Sequence, residues 1–216
     1  RSLIDYLTRD EMNALLAAPD CTTVAGLRDR AMLHLTYAAG LRVSELLALQ
    51  MGDFSDRSLS TVRVLGKGRR ERVLPLWKET QTVLRTWIAV RPSVQVQELF
   101  VNREGRPLSR DGFAHRLAVH VAAAARKKPT LAEKRVTPHV LRHSCAMHTL
   151  EATGDIRKVS LWLGHASLQS TEAYLRVDPA EKLAILAANA APAVPKGRFR
   201  TPDRLLAMLA EIQKTR

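Results

Sequence analysis

The sequence "TPHVLRHSCAMH", which begins at Thr137, concentrates groups that bind anions. The side chains of His139, Arg142 and His143 recur at i, i+3 and i+4, so they share one face of a helix. Thr137 suits the N-cap of that helix and Pro138 suits its first position. A hydrophobic core does not need two imidazoles and a guanidinium. The pattern therefore predicts that this helix face holds a negatively charged group.

Four further residues carry basic or nucleophilic side chains and lie near predicted helix ends or turns. Arg42 follows a glycine in "AAGLRVSEL", and Lys67 lies between two glycines in "LGKGRR". His165 follows the helix stop in "WLGHASL", and Tyr174 comes nine residues later in "STEAYLRV". Each alone has an ordinary explanation as a solvated side chain, a turn residue, a helix cap or a packing residue. Together with the histidine and arginine helix they need one explanation.

The positive charge is concentrated in the middle of the chain. The net charge is +13, and residues 61–130 contribute +10 of it, with 15 Lys and Arg against 5 Asp and Glu. Residues 1–60 carry −2 and residues 131–216 carry +5. This distribution predicts a surface that binds a polyanion, with nucleic acid as the usual partner. A basic surface that serves only solubility is the open alternative.

Composition places the chain among globular proteins of a reducing compartment. The 216 residues are 46% hydrophobic and 25% charged, and no apolar run reaches membrane-spanning length. Cys21 and Cys145 give neither a disulfide framework nor a metal-binding pair. No signal peptide opens the chain, which begins with Arg1 and so suggests a fragment or a processed protein. We expect a cytoplasmic protein with no membrane partner, no metal and no cofactor.

Helical patterns dominate, and one segment departs from them. Apolar periodicity and capping residues predict helices in "TRDEMNALLAAP", "VAGLRDRAMLHLTYAAG", "RVSELLAL", "KETQTVLRTWIAVRP", "SRDGFAHRLAVHVAAAARKK", "DIRKVSLWLGH" and "DPAEKLAILAAN". Two β-type runs, Thr61–Leu65 and Arg70–Leu76, are joined by "GKG" and predict a hairpin, with Glu98–Asn102 as a possible third strand. The predicted fold class is mainly helical α+β with a small antiparallel β-sheet.

The C-terminus has the composition of a separate segment. "APAVPKGRFR" reads as a linker, and "TPDRLLAMLAEIQ" predicts an amphipathic helix with an apolar stripe. We therefore divide the chain into a domain at 1–190 and a linker with a helix at 191–216. The helix could dock on its own domain or on a neighbouring protomer.

The order of these motifs resembles the tyrosine recombinase (phage integrase) family over about residues 5–190. "GLRVSEL", the lysine-tipped hairpin and "TPHVLRHSCAMHTLEATGDIRKVSLWLGHASLQSTEAYLRV" carry the resemblance. It implies a DNA breaking-rejoining catalytic domain that acts as a site-specific DNA recombinase, without metal or ATP. Two readings stay open beside it. One is a type IB topoisomerase-like enzyme that relaxes DNA, and the other is a DNA-binding module that does not cleave.

The resemblance assigns a role to each candidate. Arg42 and Arg142 match the two family arginines that grip the scissile phosphate, a task suited to a fixed, permanently charged guanidinium. His139 matches the histidine that assists proton transfer or donates to the phosphate, and His165 matches the one that hydrogen-bonds a non-bridging oxygen. Tyr174 matches the nucleophile that forms a 3′-phosphotyrosyl bond.

Lys67 matches the hairpin lysine that protonates the departing 5′-oxygen, although Arg69 or Arg70 could take that role. We expect Glu45 to orient its neighbours, and we leave His143 open between supporting the site and packing in the core. The implied partners are double-stranded DNA and further copies of the chain in a tetrameric synapse, at the nucleoid of a prokaryote or on a mobile element. Target sequence and biological role, whether integration, excision or resolution, do not follow from the sequence.

Overall fold

The computed structural model describes residues 5–54, 58–66 and 71–164. These ranges contain seven α-helices and two β-strands, and all of them lie within the unit Arg1–Val177. In chain order the elements are α1 (Arg9–Leu16), α2 (Val24–Ala38), α3 (Val43–Ala48), β1 (Thr61–Leu65), β2 (Glu71–Pro75), α4 (Lys78–Val90), α5 (Arg110–Ala125), α6 (Pro138–Thr153) and α7 (Ile156–Leu163), with 3₁₀ turns at Met51–Asp53 and Pro129–Glu133. The predicted mainly helical α+β class is confirmed.

Local sequence signals set the helix ends. Thr8 and Glu11 form a capping box at the start of α1, in which each side chain accepts a hydrogen bond from the other residue's backbone N–H. Ser109 and Thr137 cap α5 and α6 by accepting from the backbone N–H three residues on. Gly164 ends α7 in the left-handed region, at φ 63°, where a side chain would be strained.

The predicted hairpin forms with a defined register. Strands β1 and β2 are antiparallel, from Thr61 opposite Pro75 to Leu65 opposite Glu71. Alternation along each strand turns Val62 and Val64 of β1 and Leu74 of β2 into the core. Arg72, the partner of Val64, lies on this same inner face.

The possible third strand at Glu98–Asn102 is wrong, because the sheet in the described residues has two strands. This segment makes only isolated bridges, including one between Gln50 and Glu98. Its backbone groups are taken by other partners: Leu99 N–H donates to the Leu49 carbonyl at 2.7 Å, and the Leu99 carbonyl accepts from Trp87 Nε1. The polar groups that a third strand would use are therefore already satisfied.

Helix α2 lies at the centre of the helical core. It packs against α4 on one side and α6 on another, and α6 packs against α7. The largest fully buried side chains include Trp87, Phe100 and Phe113. Among the described helices, none has the length and apolar character needed to span a membrane. The predicted domain boundary near residue 190 and the C-terminal helix lie outside the described residues.

Candidate active site

The first part of the candidate site is the junction between α2 and α3. Arg42 is the N-cap of α3, and Glu45 in the first turn accepts a hydrogen bond from the Arg42 backbone N–H at 2.9 Å. The Arg42 guanidinium also bonds the carboxylate, with 2.8 Å from Nη1 to Oε1, while 35% of the side chain stays exposed. Glu45 is itself buried. These hydrogen bonds between Arg42 and Glu45 support the predicted orienting role of Glu45.

Strand β2 supplies a second arginine to the same carboxylate. Arg72 faces Glu45 with both terminal nitrogens, at 2.8 Å from Nη2 to Oε2 and 3.2 Å from Nη1 to Oε1. This two-point geometry is the strong form of an arginine–carboxylate pair. It fixes the hairpin against the start of α3.

Helix α6 brings in the third arginine. Arg142 is buried and donates from Nη1 to the Gly40 carbonyl and from Nη2 to the Leu163 carbonyl at 2.9 Å. These carbonyls lie at the C-terminal ends of α2 and α7, where helices leave acceptors unsatisfied and carry partial negative charge. Arg142 Nη1 also lies 3.8 Å from Glu45 Oε2. The guanidinium plane is therefore fixed from three sides.

Gly40 is needed for this approach. Its φ is +56°, and a Cβ there would collide with Leu163 and lie 3.2 Å from Cys145 Sγ. Only glycine takes this conformation and leaves the space that α7 occupies. The glycine of "AAGLRVSEL" thus lets the end of α2 meet the end of α7 beside Arg142.

The cluster of three arginines and one carboxylate is positively charged. Burial opposes ionisation of Glu45, but hydrogen bonds from Arg72 and Arg42 outweigh it and lower the pKa of this carboxyl. Among the described residues, one anion therefore faces three permanent cations, which gives this part of the cluster an excess of two positive charges in a partly buried place. Such an excess attracts a second anion, and a phosphate diester is the anion that guanidinium groups match in geometry.

His139 and His143 lie beside this cluster on α6. His139 is exposed one turn before Arg142, and its ring stacks on that of His143 with centroids 6.0 Å apart. His143 is half-buried, and burial together with the neighbouring His139 and Arg142 lowers its pKa. A neutral His143 packed under His139 fits a supporting position better than a core position. The role predicted for His139 stays a prediction.

Three of the six predicted site residues, Lys67, His165 and Tyr174, lie outside the described residues. The residues that precede Lys67 and His165 are described. Strand β1 ends at Leu65 and strand β2 begins at Glu71, so Lys67 belongs to the segment that connects the two strands. The structure thus brings Arg42 and Arg142 to one carboxylate and leaves the convergence of all six as a prediction.

Arg72 is the residue that sequence reasoning missed. The signal was present in the alternation of "RERVLPL", which turns Arg72 and Leu74 to the same face of β2 while Val73 is 62% exposed. A charged residue on the inner face of a strand requires a buried partner. The missing step was the identity of that partner, Glu45.

Two other described histidines and two tyrosines have structural contacts. Tyr37 is half-buried and its hydroxyl lies 2.8 Å from His148 Nδ1, and His120 Nε2 lies 2.8 Å from the buried Asp29. Tyr6 packs edge-on against His148. In the described ranges, no three His, Cys, Asp or Glu side chains are grouped in a way that could hold a metal ion.

Comparison with known proteins connects this arrangement to one family. Residues 5–181 match the Phage integrase family. The chain is 42% identical over 209 residues to the integrase/recombinase y4rC of Sinorhizobium fredii, covering 97% of this chain and 63% of the relative. It is 39% identical over 183 residues to the tyrosine recombinase XerD of Listeria innocua, covering 82% of this chain and 59% of the relative.

The fold agrees with a solved structure. The crystal structure of XerA recombinase superposes with a TM-score of 0.75 at 26% identity, covering 89% of this chain and 67% of that one. The chain spans less than two thirds of the length of the two curated relatives, at 63% and 59%. The motifs, the fold and the match over residues 5–181 together show that this chain belongs to the phage integrase family.

Proposed function

We propose that this chain is the catalytic part of a site-specific DNA recombinase that cleaves and rejoins strands through Tyr174. The observation that carries the proposal is the Glu45 cluster, in which three arginines surround one carboxylate and leave an excess of positive charge. Family membership supports the same reaction. A scissile phosphate is the anion that this cluster would hold.

The proposed reaction exchanges one phosphodiester for another. The Tyr174 phenolic oxygen loses its proton to solvent with the assistance of His139 and attacks phosphorus, so that a bond from phosphorus to the tyrosine oxygen forms and the bond from phosphorus to the 5′-oxygen breaks. Lys67 gives the 5′-oxygen its proton, so a free 5′-hydroxyl leaves. Attack of a 5′-hydroxyl on the phosphotyrosine reverses the step and rejoins a strand.

The basic groups act on the charge that develops at phosphorus. Arg42 and Arg142 would donate to the non-bridging oxygens, which gain negative charge as phosphorus becomes five-coordinate. In this proposal His165 adds a donor to one of these oxygens and His139 assists proton transfer. The fixed plane of Arg142, held by the Gly40 and Leu163 carbonyls, means that the donor is oriented before the substrate binds.

Double-stranded DNA is the proposed partner, together with further copies of the chain in a tetrameric synapse. The charge distribution, with +10 in residues 61–130, supports a surface that follows the phosphate backbone. Helix α5, which begins at Arg110, and the β1–β2 hairpin are the proposed contact elements. Such an enzyme would work in the cytoplasm, at the nucleoid.

Covalent trapping tests the proposal. The protein is incubated in EDTA and low salt with a pool of nicked duplexes of randomised sequence, in which cleavage releases a short strand and prevents rejoining. We expect a denaturation-resistant protein–DNA band, absent in Tyr174→Phe, and trapped DNA that converges on a common sequence. Low salt is used because phosphate contacts dominate the affinity of a catalytic part alone.

Each result has a definite meaning. A band that needs Mg²⁺ or survives in Tyr174→Phe would overturn the proposed chemistry. A Tyr174-dependent band without sequence convergence would retain the chemistry and overturn site specificity. If no band forms while a mobility shift shows that DNA is bound, the chain is a DNA-binding module that does not cleave, and the proposed enzymatic activity is wrong.

A further inference from the structure

Arg72 is the one arginine of the Glu45 cluster to which no family role was assigned above. Its side chain is 10% exposed and comes from the inner face of β2, five residues after Lys67. A guanidinium at this place in a strand interrupts an otherwise apolar face, since its cross-strand partner is the buried Val64. Its position therefore needs an explanation other than core packing.

The contacts of Arg72 tie the hairpin to the arginine cluster. Both terminal nitrogens bond Glu45, whose other partners are Arg42 and, at 3.8 Å, Arg142. The hairpin has only two strands in the described residues, and a two-stranded ribbon alone is marginally stable. The Arg72–Glu45 pair thus fixes where the hairpin lies relative to the predicted phosphate-binding arginines.

Arg72 also lies directly over the end of α7. A Cβ added to Gly164 would be 2.9 Å from Arg72 Cδ and 3.2 Å from its Nη1. The residue at 164 is a glycine both because its φ is +63° and because the guanidinium occupies the space beside it. One side chain therefore contacts the start of α3 and the residue that precedes His165.

The Nε hydrogen of Arg72 is buried and has no hydrogen-bond partner in the described part of the chain. An unsatisfied buried donor costs roughly 1–3 kcal/mol. A hydrophobic side chain at this strand position would avoid that cost. The presence of an arginine here is thus better explained by the position that it enforces than by stability.

We propose that Arg72 is a positioning residue that seats the hairpin so that Lys67 reaches the departing 5′-oxygen. This inference rests on the proposed function. Glu45 anchors Arg72, and Arg72 holds β2 in place. If this anchor is lost, β2 shifts and the hairpin connection that contains Lys67 shifts with it. Loss of the anchor would therefore impair proton donation to the leaving group more than charge neutralisation at the phosphate.

A substrate with sulfur in place of the bridging 5′-oxygen separates these two effects. With that duplex, the tyrosine–phosphorus bond forms and the phosphorus–sulfur bond breaks, and the thiolate leaves without a proton because a thiol has a pKa of about 8.5. A defect in proton delivery is bypassed, whereas a defect in phosphate binding is not. The trapped sequence from the selection above supplies both versions of the nicked duplex.

We expect Arg72→Met to cleave the ordinary duplex about 10–100-fold more slowly than the unmodified protein and the sulfur duplex within about a factor of three of it. Lys67→Ala should show the same rescue, and Arg142→Met should show none. Arg85→Met is the control, because Arg85 is an exposed arginine on α4, outside the proposed contact elements, and its side chain hydrogen-bonds only Gln81 among the described residues. It should cleave both duplexes at the unmodified rate.

Folding is checked by thermal melting, and Arg72→Lys replaces Arg72→Met if the latter is unfolded at the assay temperature. Lysine keeps the charge opposite Glu45 but loses the two-point contact, so its smaller defect should also be rescued by sulfur. An equal defect on both duplexes, or no defect on the ordinary one, would overturn the inference. Failure of the unmodified protein to cleave either duplex would instead contradict the proposed function.

Discussion

Two buried carboxylates in this protein, Asp29 and Glu45, are surrounded by basic side chains in different ways. Asp29 on α2 is 1% exposed and accepts from Arg28, Arg116 and His120. Glu45 on α3 is 6% exposed and faces three arginines. In both cases hydrogen bonds from the basic partners outweigh burial and lower the pKa of the carboxyl. By residue type alone the two clusters look alike.

The contacts of the Asp29 cluster join neighbouring parts of the protein. Arg28 bonds one carboxylate oxygen with Nε at 2.9 Å and Nη2 at 2.8 Å, and its Nη1 bonds the Val101 carbonyl. Arg116 and His120, both on α5, bond the other oxygen. The cluster therefore joins α2 to α5 and serves packing.

The three arginines of the Glu45 cluster come from three separate elements, and one of their buried donors has no partner in the described residues. Arg42 comes from the start of α3 and is 35% exposed, Arg72 comes from β2, and Arg142 comes from α6. Arg72 has a buried Nε without a partner in the described residues. The comparison teaches that a structural ion cluster and a candidate site differ less in residue types than in the number of elements that supply the basic groups, two for Asp29 and three for Glu45.

The largest expected effect comes from Arg142→Lys. A lysine cannot bridge the Gly40 and Leu163 carbonyls as the guanidinium does, so the donor would lose its fixed orientation toward the phosphate. We expect the rate of covalent trapping to fall about 100- to 1,000-fold, because oriented donors at the developing charge contribute on this scale. Single-turnover trapping on the nicked duplex measures it.

Arg116→Lys is the control for that substitution. It changes an arginine of the Asp29 cluster whose side chain is 31% exposed. Its melting temperature should fall by a few degrees while the trapping rate at saturating DNA stays near that of the unmodified protein. A trapping rate for Arg142→Lys that matches this control would show that Arg142 is structural.

Neutralising the two carboxylates gives the next largest effect and tests the comparison directly. Glu45→Gln should slow trapping about 10- to 100-fold, because Arg42 and Arg72 lose the anion that orients them. Asp29→Asn should lower the free energy of unfolding by about 3 kcal/mol, since it leaves the buried Arg28 guanidinium without its anion. Trapping by the folded fraction of Asp29→Asn should be unchanged.

Both variants are assayed by urea unfolding and by trapping well below the melting temperature. Equal losses of trapping in both would remove the distinction between a packing cluster and a site cluster. A loss confined to Asp29→Asn would reverse it.

Features fixed by neighbouring residues were predictable from the sequence. The capping box of Thr8 and Glu11, the N-caps at Ser109 and Thr137, and the β1–β2 hairpin each depend on residues a few positions apart. The short helix spacing of His139 and Arg142 was predictable for the same reason. Motif order then linked Arg42 to them across a hundred residues.

Features decided by distant partners were not predictable. The segment Glu98–Asn102 has strand-like residues, but Leu49 and Trp87 take its backbone groups, and neither contact is visible in its own sequence. Arg72 was missed because its partner, Glu45, lies 27 residues away on another element. Residue types indicated the chemistry, and only the tertiary structure showed which carboxylate connects the arginines.

A third buried carboxylate, Glu11 on α1, provides the smallest effect and a test by pH. Its side chain accepts from Lys134 Nζ at 2.6 Å and Thr130 Oγ1 at 2.6 Å. Burial raises the pKa of Glu11, but these hydrogen bonds and the one from Thr8 outweigh it and lower the pKa from 4.5 to about 2. Because the pKa is lower in the folded state, the stabilisation is present above pH 4.5 and is lost as pH falls toward 2.

Glu11→Gln should therefore lower the free energy of unfolding by about 2 kcal/mol at pH 7, below the range for a fully buried pair because Lys134 is 31% exposed. The difference in free energy of unfolding between the variant and the unmodified protein should narrow as pH falls from 5 to 3. In this range the Glu11 carboxyl of the unmodified protein binds a proton when the protein unfolds, and this proton uptake favours unfolding. Urea unfolding at pH 7, 5, 4 and 3 measures the gap. A gap that stays constant with pH would mean that Glu11 stabilises α1 by packing and capping alone, which would place it with neither the charged packing cluster nor the candidate site.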